Sequence, residues 1–170
     1  MPTPKPIRVA LDAMGGDLGV EQTVGGAAAL SLEANPAQII LVGDQARISA
    51  ALAEVRYDPA WIQIVHAAGA TVEMSEKPRA ALRERPDCSI LVAAKLVQDG
   101  HADALVSAGH TGATILASAM HFKRLPGVTR AALAAVYPTE QRHGPKGDPF
   151  ALILDVGATL DATPEDLRGF

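Results

Sequence analysis

The chain has 170 residues, enough for one large domain with a substantial core. Hydrophobic residues make up 48% and aromatics only 4%, so the interior must be built from Ala, Val, Leu and Ile, which suits buried parallel strands under Ala-rich helices. A net charge of -4 gives no electrostatic reason to bind nucleic acid, and a single cysteine, Cys88, excludes a disulfide framework or a paired-cysteine metal or redox motif, in keeping with a reducing cytoplasm.

The opening Met1-Pro2-Thr3-Pro4-Lys5-Pro6 is a stiff polar lead-in without the pattern of a signal peptide. No run of about 18 apolar residues follows, so no transmembrane helix is expected. The apolar run 7–11 predicts a buried strand, and 27–34 an Ala/Leu helix stopped by Asn35-Pro36; Gly25 and Gly26 argue against an earlier start. Residues 39–42 form the next strand, 45–55 a helix, and 62–65 a third strand after the breaker Tyr57-Asp58-Pro59.

From 67 to 86 the alternation is lost, and Glu73-Met74-Ser75-Glu76-Lys77-Pro78 predicts a surface excursion with at most a short helix after it. Regularity returns with a helix over 89–98, a strand over 104–106 and a helix over 111–122. A fifth strand is expected over 133–137. The segment 138–149, with three prolines and two glycines, predicts a flexible loop, and 150–154 a sixth strand. Thr163 and Pro164 open a last helix as N-cap and first helical residue. The expected class is a three-layer α/β/α fold with a mostly parallel, doubly wound, Rossmann-like sheet. Residues 1–170 form a single α/β domain or the N-terminal part of one, with the sheet incomplete.

Three of the strands run into loops of glycine, small hydroxyls and aspartate: Asp12-Ala13-Met14-Gly15-Gly16-Asp17, Ser107-Ala108-Gly109-His110-Thr111-Gly112 and Asp155-Val156-Gly157-Ala158-Thr159. A loop of this kind before a helix offers backbone NH groups to an anionic or acyl ligand, and in a doubly wound sheet all three would share the carboxyl edge. Asp12 and Asp155 either orient a ligand or satisfy their own turns, whereas Asp17 reads as a helix cap. His110 is either a general base or phosphate ligand, or simply occupies the first turn of its helix. His110 and His121, eleven residues apart, would lie about 16 Å apart on a helix, too far to share a metal, and the other three histidines are scattered. No metal site is supported. Met14-Gly15-Gly16-Asp17-Leu18-Gly19 lacks the first glycine of the dinucleotide fingerprint, and Asp44 is a loose match for its ribose-binding acid, so an NAD(P)-dependent oxidoreductase is a minor alternative. Lys77, Arg79, Arg83 and Arg85 form the densest basic stretch, either an ordinary solvated surface or a docking patch for an acidic partner.

Read in order, Leu11-Asp12-Ala13-Met14-Gly15-Gly16-Asp17, Ile40-Leu41-Val42-Gly43-Asp44, Val65-His66-Ala67, Glu76-Lys77-Pro78, Val106-Ser107-Ala108-Gly109-x-Thr111-Gly112-Ala113, Leu125-Pro126-Gly127 and Leu154-Asp155-Val156-Gly157-Ala158 resemble the PlsX-type acyl-ACP:phosphate acyltransferases across nearly the whole chain. The resemblance implies the N-terminal half of such an enzyme, divergent or truncated. It implies a cytoplasmic, peripherally membrane-associated homodimer of phospholipid synthesis, with no cofactor. That enzyme transfers a fatty acyl group from acyl carrier protein to inorganic phosphate, and the acyl phosphate goes to a membrane glycerol-3-phosphate acyltransferase. A non-catalytic module that binds carrier or phosphate is the alternative. By this resemblance Asp12, His110 and Asp155 are the catalytic candidates, and Gly15, Gly16, Asp17, Ser107, Gly109, Thr111, Gly112, Gly157 and Thr159 line the substrate site. Lys77, Arg79 and Arg83 are expected to contact the acidic carrier protein or phosphate. His110 and Thr159 each stand where the family usually has Asn.

Overall fold

The structure is a computed structural model that describes residues 5–126, 128, 132–143, 147–156, 159 and 161–169. These fall into two compact units, 1–122 and 123–170.

The first unit holds a four-stranded parallel sheet in the order β3-β2-β1-β4, made of β1 (Arg8–Asp12), β2 (Gln38–Gly43), β3 (Ile62–His66) and β4 (Ala104–Ser107). The helices are α1 (Val20–Ser31), α2 (Gln45–Ala53), α3 (Pro78–Glu84), α4 (Ser89–Gln98) and α5 (Thr111–His121). Period-two alternation along β2 sorts the layers. Ile39 and Leu41 pack with Val20, Val24 and Ala27 of α1 and Ile48 and Leu52 of α2. Ile40 and Val42 face the other way, with Ala10, Ala67 and Ala93 of α4. A third cluster ties α3 and α5 onto α4 through Ala81, Leu82, Ile90, Leu91, Ala94, Ala113 and Ala117. Small side chains at these positions let the helices approach closely, as a core poor in aromatics requires.

The chain steps outward from β1 to β3 and then returns to lay β4 on the other side of β1. This reversal puts the ends of β1 and β4 side by side, with Asp12 opposite Ser107 in the register. In open α/β sheets ligands enter at such a switch point. At the opposite end of the same strands, Arg8 and Asp103 form a side-chain pair at 2.8 Å, and each backbone NH is also bonded across, Arg8 N to Asp103 Oδ2 and Asp103 N to Arg8 O.

Several expectations are corrected. The first helix begins at Val20, not Ala27, and runs straight through Gly25 and Gly26. Burial of the stripe Val20, Val24, Ala27, Ala28 and Ser31 outweighs the roughly 1 kcal/mol that each glycine costs in propensity. Within the segment 138–149, expected as a flexible loop, the described residues are mostly strand: in the second unit β5 (Ala134–His143) and β6 (Asp148–Leu154) pair antiparallel, irregularly between Pro138 and His143. Residues 144–146 lie outside the described residues. Pro138 is tolerated because each strand of a two-stranded ribbon has an open side to which a missing NH can turn. These two strands form their own sheet, so the six predicted strands do not make one parallel sheet. The unit ends in α6 (Pro164–Gly169), where Thr163 Oγ1 accepts from Asp166 N and Asp166 Oδ2 accepts from Thr163 N, a reciprocal cap.

Candidate active site

Two of the three glycine loops meet at the β1/β4 switch point. Asp12 ends β1 and is only 3% exposed; its Oδ2 accepts a hydrogen bond from Ser107 Oγ at 2.8 Å, while Ser107 Oγ accepts from Gly109 N at 3.1 Å. Carboxylate, hydroxyl and amide thus form one chain across the adjoining strand ends. The backbones themselves touch. A Cβ added to Gly15 would lie 2.7 Å from Asp12 Oδ2 and 2.8 Å from Gly109 N, and one added to Gly109 would lie 3.0 Å from Gly15 Cα. Only glycine permits that approach, so the two loops are registered through Gly15 and Gly109. Gly16 turns the first loop at a φ of 112°, a left-handed conformation that side chains disfavour.

The first loop is also held from its other side. Met14 packs over Gly43 so closely that a Cβ there would lie 2.5 Å from Met14 Cγ, and Ala13 N extends the sheet pairing to Val42 O at 3.0 Å. Thr23 Oγ1 on α1 donates to Ala13 O at 2.7 Å. Asp17 does not cap α1, contrary to expectation; the N-cap is Gly19, and Asp17 is exposed on the loop.

His110 proves to be the N-cap of α5. Its Nδ1 accepts from Gly112 N at 3.1 Å and from Ala113 N at 3.4 Å, and its Nε2 lies 3.2 Å from Glu76 O. An Nδ1 that accepts two amides places the proton on Nε2, which donates to the Glu76 carbonyl. Both ring nitrogens are therefore engaged, and in this geometry His110 is a positioning residue, not a free base. An asparagine oxygen can serve the same helix-capping function. Glu76 is fixed in turn by Arg85, whose guanidinium donates to Thr71 O at 2.8 Å and pairs with Glu76 Oε1, and the hydrogen bond from Arg85 to the Glu76 carboxylate lowers the pKa of that carboxyl from its ordinary value. The excursion 71–76 is thereby tied to the start of α5.

Two amides expected to face a ligand, those of Gly109 and Gly112, are thus spent on Ser107 and His110, and the Ala113 amide is spent on His110 as well. Among the described residues the NH groups of Gly15, Gly16 and Thr111 take no backbone acceptor. Asp12 Oδ1 is buried without a partner there. Asp12, Gly15, Ser107, Gly109 and His110, with Thr71 and Thr114, line a cavity of about 10 Å³, room for a single water-sized oxygen. Thr71 and Thr114 were not legible in the sequence; they reach the cavity through the excursion and the second turn of α5.

The third loop leaves β6 in the second unit. Asp155 has a φ of 58°, and its Oδ1 is buried without a partner among the described residues. Thr159 is half-buried, and Gly157 lies outside the described residues. Lys77 is the N-cap of α3, and with Arg79 and Arg83 it borders a groove between α3 and α5. Asp44 caps α2 by accepting from Arg47 N at 3.0 Å, which lowers its pKa, so this carboxylate is committed to its own helix and not open to a ribose. Among the described residues no cluster of His, Cys, Asp or Glu is disposed to hold a metal, and no helix is long and apolar enough to cross a membrane.

The family model described as fatty acid synthesis protein matches residues 7–170. Phosphate acyltransferase of Nitratidesulfovibrio vulgaris is 42% identical over 162 residues, 95% of this chain and 44% of the relative. The Oleidesulfovibrio alaskensis enzyme of that name is 43% identical over the same coverage, and that of Thermosynechococcus vestitus is 42% identical over 96% of this chain and 45% of its own length. The chain therefore spans a little under half the length of these relatives. In fold it resembles the EutD phosphotransacetylase from Staphylococcus aureus, with a TM-score of 0.65 at 19% identity over 98% of this chain and 51% of that one. A phosphotransacetylase from Streptococcus pyogenes gives the same score at 18% identity over 96% of this chain and 51% of that one.

Proposed function

This chain belongs to the fatty acid synthesis protein family, the PlsX-type phosphate acyltransferases, and from that premise we propose that its β1 and β4 loops carry the phosphate side of an acyl-transfer site. The reaction moves a fatty acyl group from the thioester of acyl carrier protein to inorganic phosphate. A phosphate oxygen attacks the thioester carbonyl, a C–O bond forms, the C–S bond breaks, and the sulfur leaves as the carrier thiolate, which takes a proton from water to give the free thiol. Phosphate is itself the nucleophile and a thiolate leaves readily, so the protein must position the reactants and stabilise the oxyanion, with no serine or cysteine nucleophile of its own.

The observation that carries this reading is the juxtaposition of a buried, half-satisfied carboxylate with glycine backbones at the start of an eleven-residue helix. The helix N-terminus and the NH groups of Gly15, Gly16 and Thr111 favour an anion. Asp12 would repel a fully ionised phosphate, but a P–OH entering the small cavity donates to Asp12 Oδ1, supplying the missing partner. Asp12 thereby selects hydrogen phosphate, orients it, and takes its proton as the new bond forms. Asp155, Gly157 and Thr159 belong to the same reading through the family motif.

Lys77, Arg79 and Arg83 meet the acidic carrier, mainly raising its association rate. In the full reading the protein acts in the cytoplasm as a homodimer in peripheral contact with the membrane, and passes acyl phosphate to a membrane glycerol-3-phosphate acyltransferase. The test is release of free carrier thiol from acyl carrier protein. Release that requires phosphate and yields acyl phosphate supports the reading, and phosphate-independent release overturns it. Binding of phosphate or carrier without turnover is a second reading, favoured by the commitment of the Gly109 and Gly112 amides to Ser107 and His110, which leaves fewer donors for an oxyanion; it predicts carrier binding without thiol release.

A further inference from the structure

Beyond its cationic border, the groove between α3 and α5 takes no part in the chemistry at the loops. Its volume is about 590 Å³, within the range of small-ligand sites, and its walls are Ala80 and Leu82 on one side and Leu116 and Met120 on the other. Met120 is 62% exposed there. Lys77, Arg79 and Arg83 line the same groove, and none of the three forms an ion pair among the described residues.

This groove and the glycine loops share one helix end. Pro78, the first residue of α3, abuts the start of α5: a Cβ on Gly112 would lie 3.1 Å from Pro78 Cγ. Glu76 O, just before α3, is bonded to His110. Leu116 lies five residues beyond Thr111, about 7.5 Å along α5, and Met120 one turn further. A ligand with its reacting end at the loops therefore meets an apolar surface within a few bonds.

We propose that the α3/α5 groove holds the alkyl chain of the transferred acyl group, with Leu82, Leu116 and Met120 against the chain and the cations beside the anionic end of the acyl phosphate product. The proposal rests on the reading of the loops as an acyl-transfer site and adds where the tail lies. An apolar tail with an anionic head is the ligand that matches both halves of the lining.

Methionine methyl NMR tests the groove and the loops separately, because Met14 sits in the first loop, Met120 in the groove and Met74 on the exposed excursion. The probe is dodecyl phosphate, kept below its micelle concentration, on the 170-residue chain. The expected result is a saturable shift of Met120, with Met74 unmoved and dodecyltrimethylammonium binding at least tenfold more weakly. Leu116→Asp should weaken the Met120 response at least tenfold while leaving the Met14 response to inorganic phosphate; Leu116→Gln serves if the aspartate variant does not fold. A silent Met120 overturns the groove, and a Met14 response to phosphate in that case leaves the loop reading standing. A Met120 response beside a silent Met14 supports the groove and overturns the loops. Equal binding of the cationic amphiphile overturns the proposal, as does a Met120 shift with carrier protein lacking an acyl chain but none with dodecyl phosphate.

Discussion

At the residue scale the site is governed by which polar groups are already committed. His110 spends both ring nitrogens on α5 and Glu76, so His110→Ala should lower stability by about 1 kcal/mol, and His110→Asn should restore most of it. Urea unfolding of the two variants checks this; a histidine that acted as a base would instead lose activity in both without a stability change. Gly15 packs against Gly109 with no room for a methyl, and Gly15→Ala should cost about 1–3 kcal/mol, measured the same way. Asp12→Asn keeps the side-chain volume but cannot take a proton from phosphate, and should lower phosphate-dependent turnover about 100-fold with the far-UV circular dichroism unchanged. That Asp12, Ser107, Gly15 and Gly109 lie in loops at strand ends was legible in the sequence, because glycine and small polar residues there follow short apolar runs. The loss of the Gly109 and Gly112 amides to Ser107 and His110 was not, since it depends on a serine rotamer and an imidazole tautomer that no spacing encodes.

At the element scale, the elements of the first unit were legible wherever apolar runs were long, and they failed where a local signal was outvoted. Gly25 and Gly26 delayed the expected start of α1, but its buried stripe begins at Val20. Pro138 and its neighbours suggested a loop, yet β5 continues through them because a ribbon edge accepts proline. Nothing in the sequence indicated that the excursion 71–76 would brace α5, a link made by Arg85, Glu76 and His110. The Arg8–Asp103 pair clips the amino ends of β1 and β4 and lowers the Asp103 pKa from 3.8 to about 2, through its side-chain hydrogen bond first. A carboxyl depressed in the folded state stabilises fully above its ordinary value and loses that contribution as pH falls through the folded one. Stability measured by urea unfolding should therefore decline between about pH 4 and pH 2. Asp103→Asn should flatten that decline, and an unchanged acid profile would show that the pair does not cause it.

At the scale of the whole molecule, the two units differ in how far they stand alone. The first is a closed three-layer unit with helices on both faces of its sheet. Among the described residues the second shows a two-stranded ribbon and one short helix, with Val136, Phe150, Leu152 and Leu154 exposed, and an isolated ribbon is at best marginally stable in water. Global unfolding should accordingly be biphasic in hydrogen exchange, with amides of β5 and β6 exchanging well before those of β1 and β2; uniform protection across both units would contradict this. Two of the three glycine loops leave adjacent strands of one sheet, β1 and β4, while the third leaves β6, which pairs with β5 in a sheet of the second unit. The central claim, that the crevice at the ends of β1 and β4 receives phosphate, is tested most directly by titrating inorganic phosphate into the 15N-labelled chain. Saturable shifts centred on the amides of Gly15, Gly16 and Thr111, and abolished by Asp12→Asn, are the predicted result. Shifts confined to other surfaces, or none at these three amides at saturating phosphate, would contradict it.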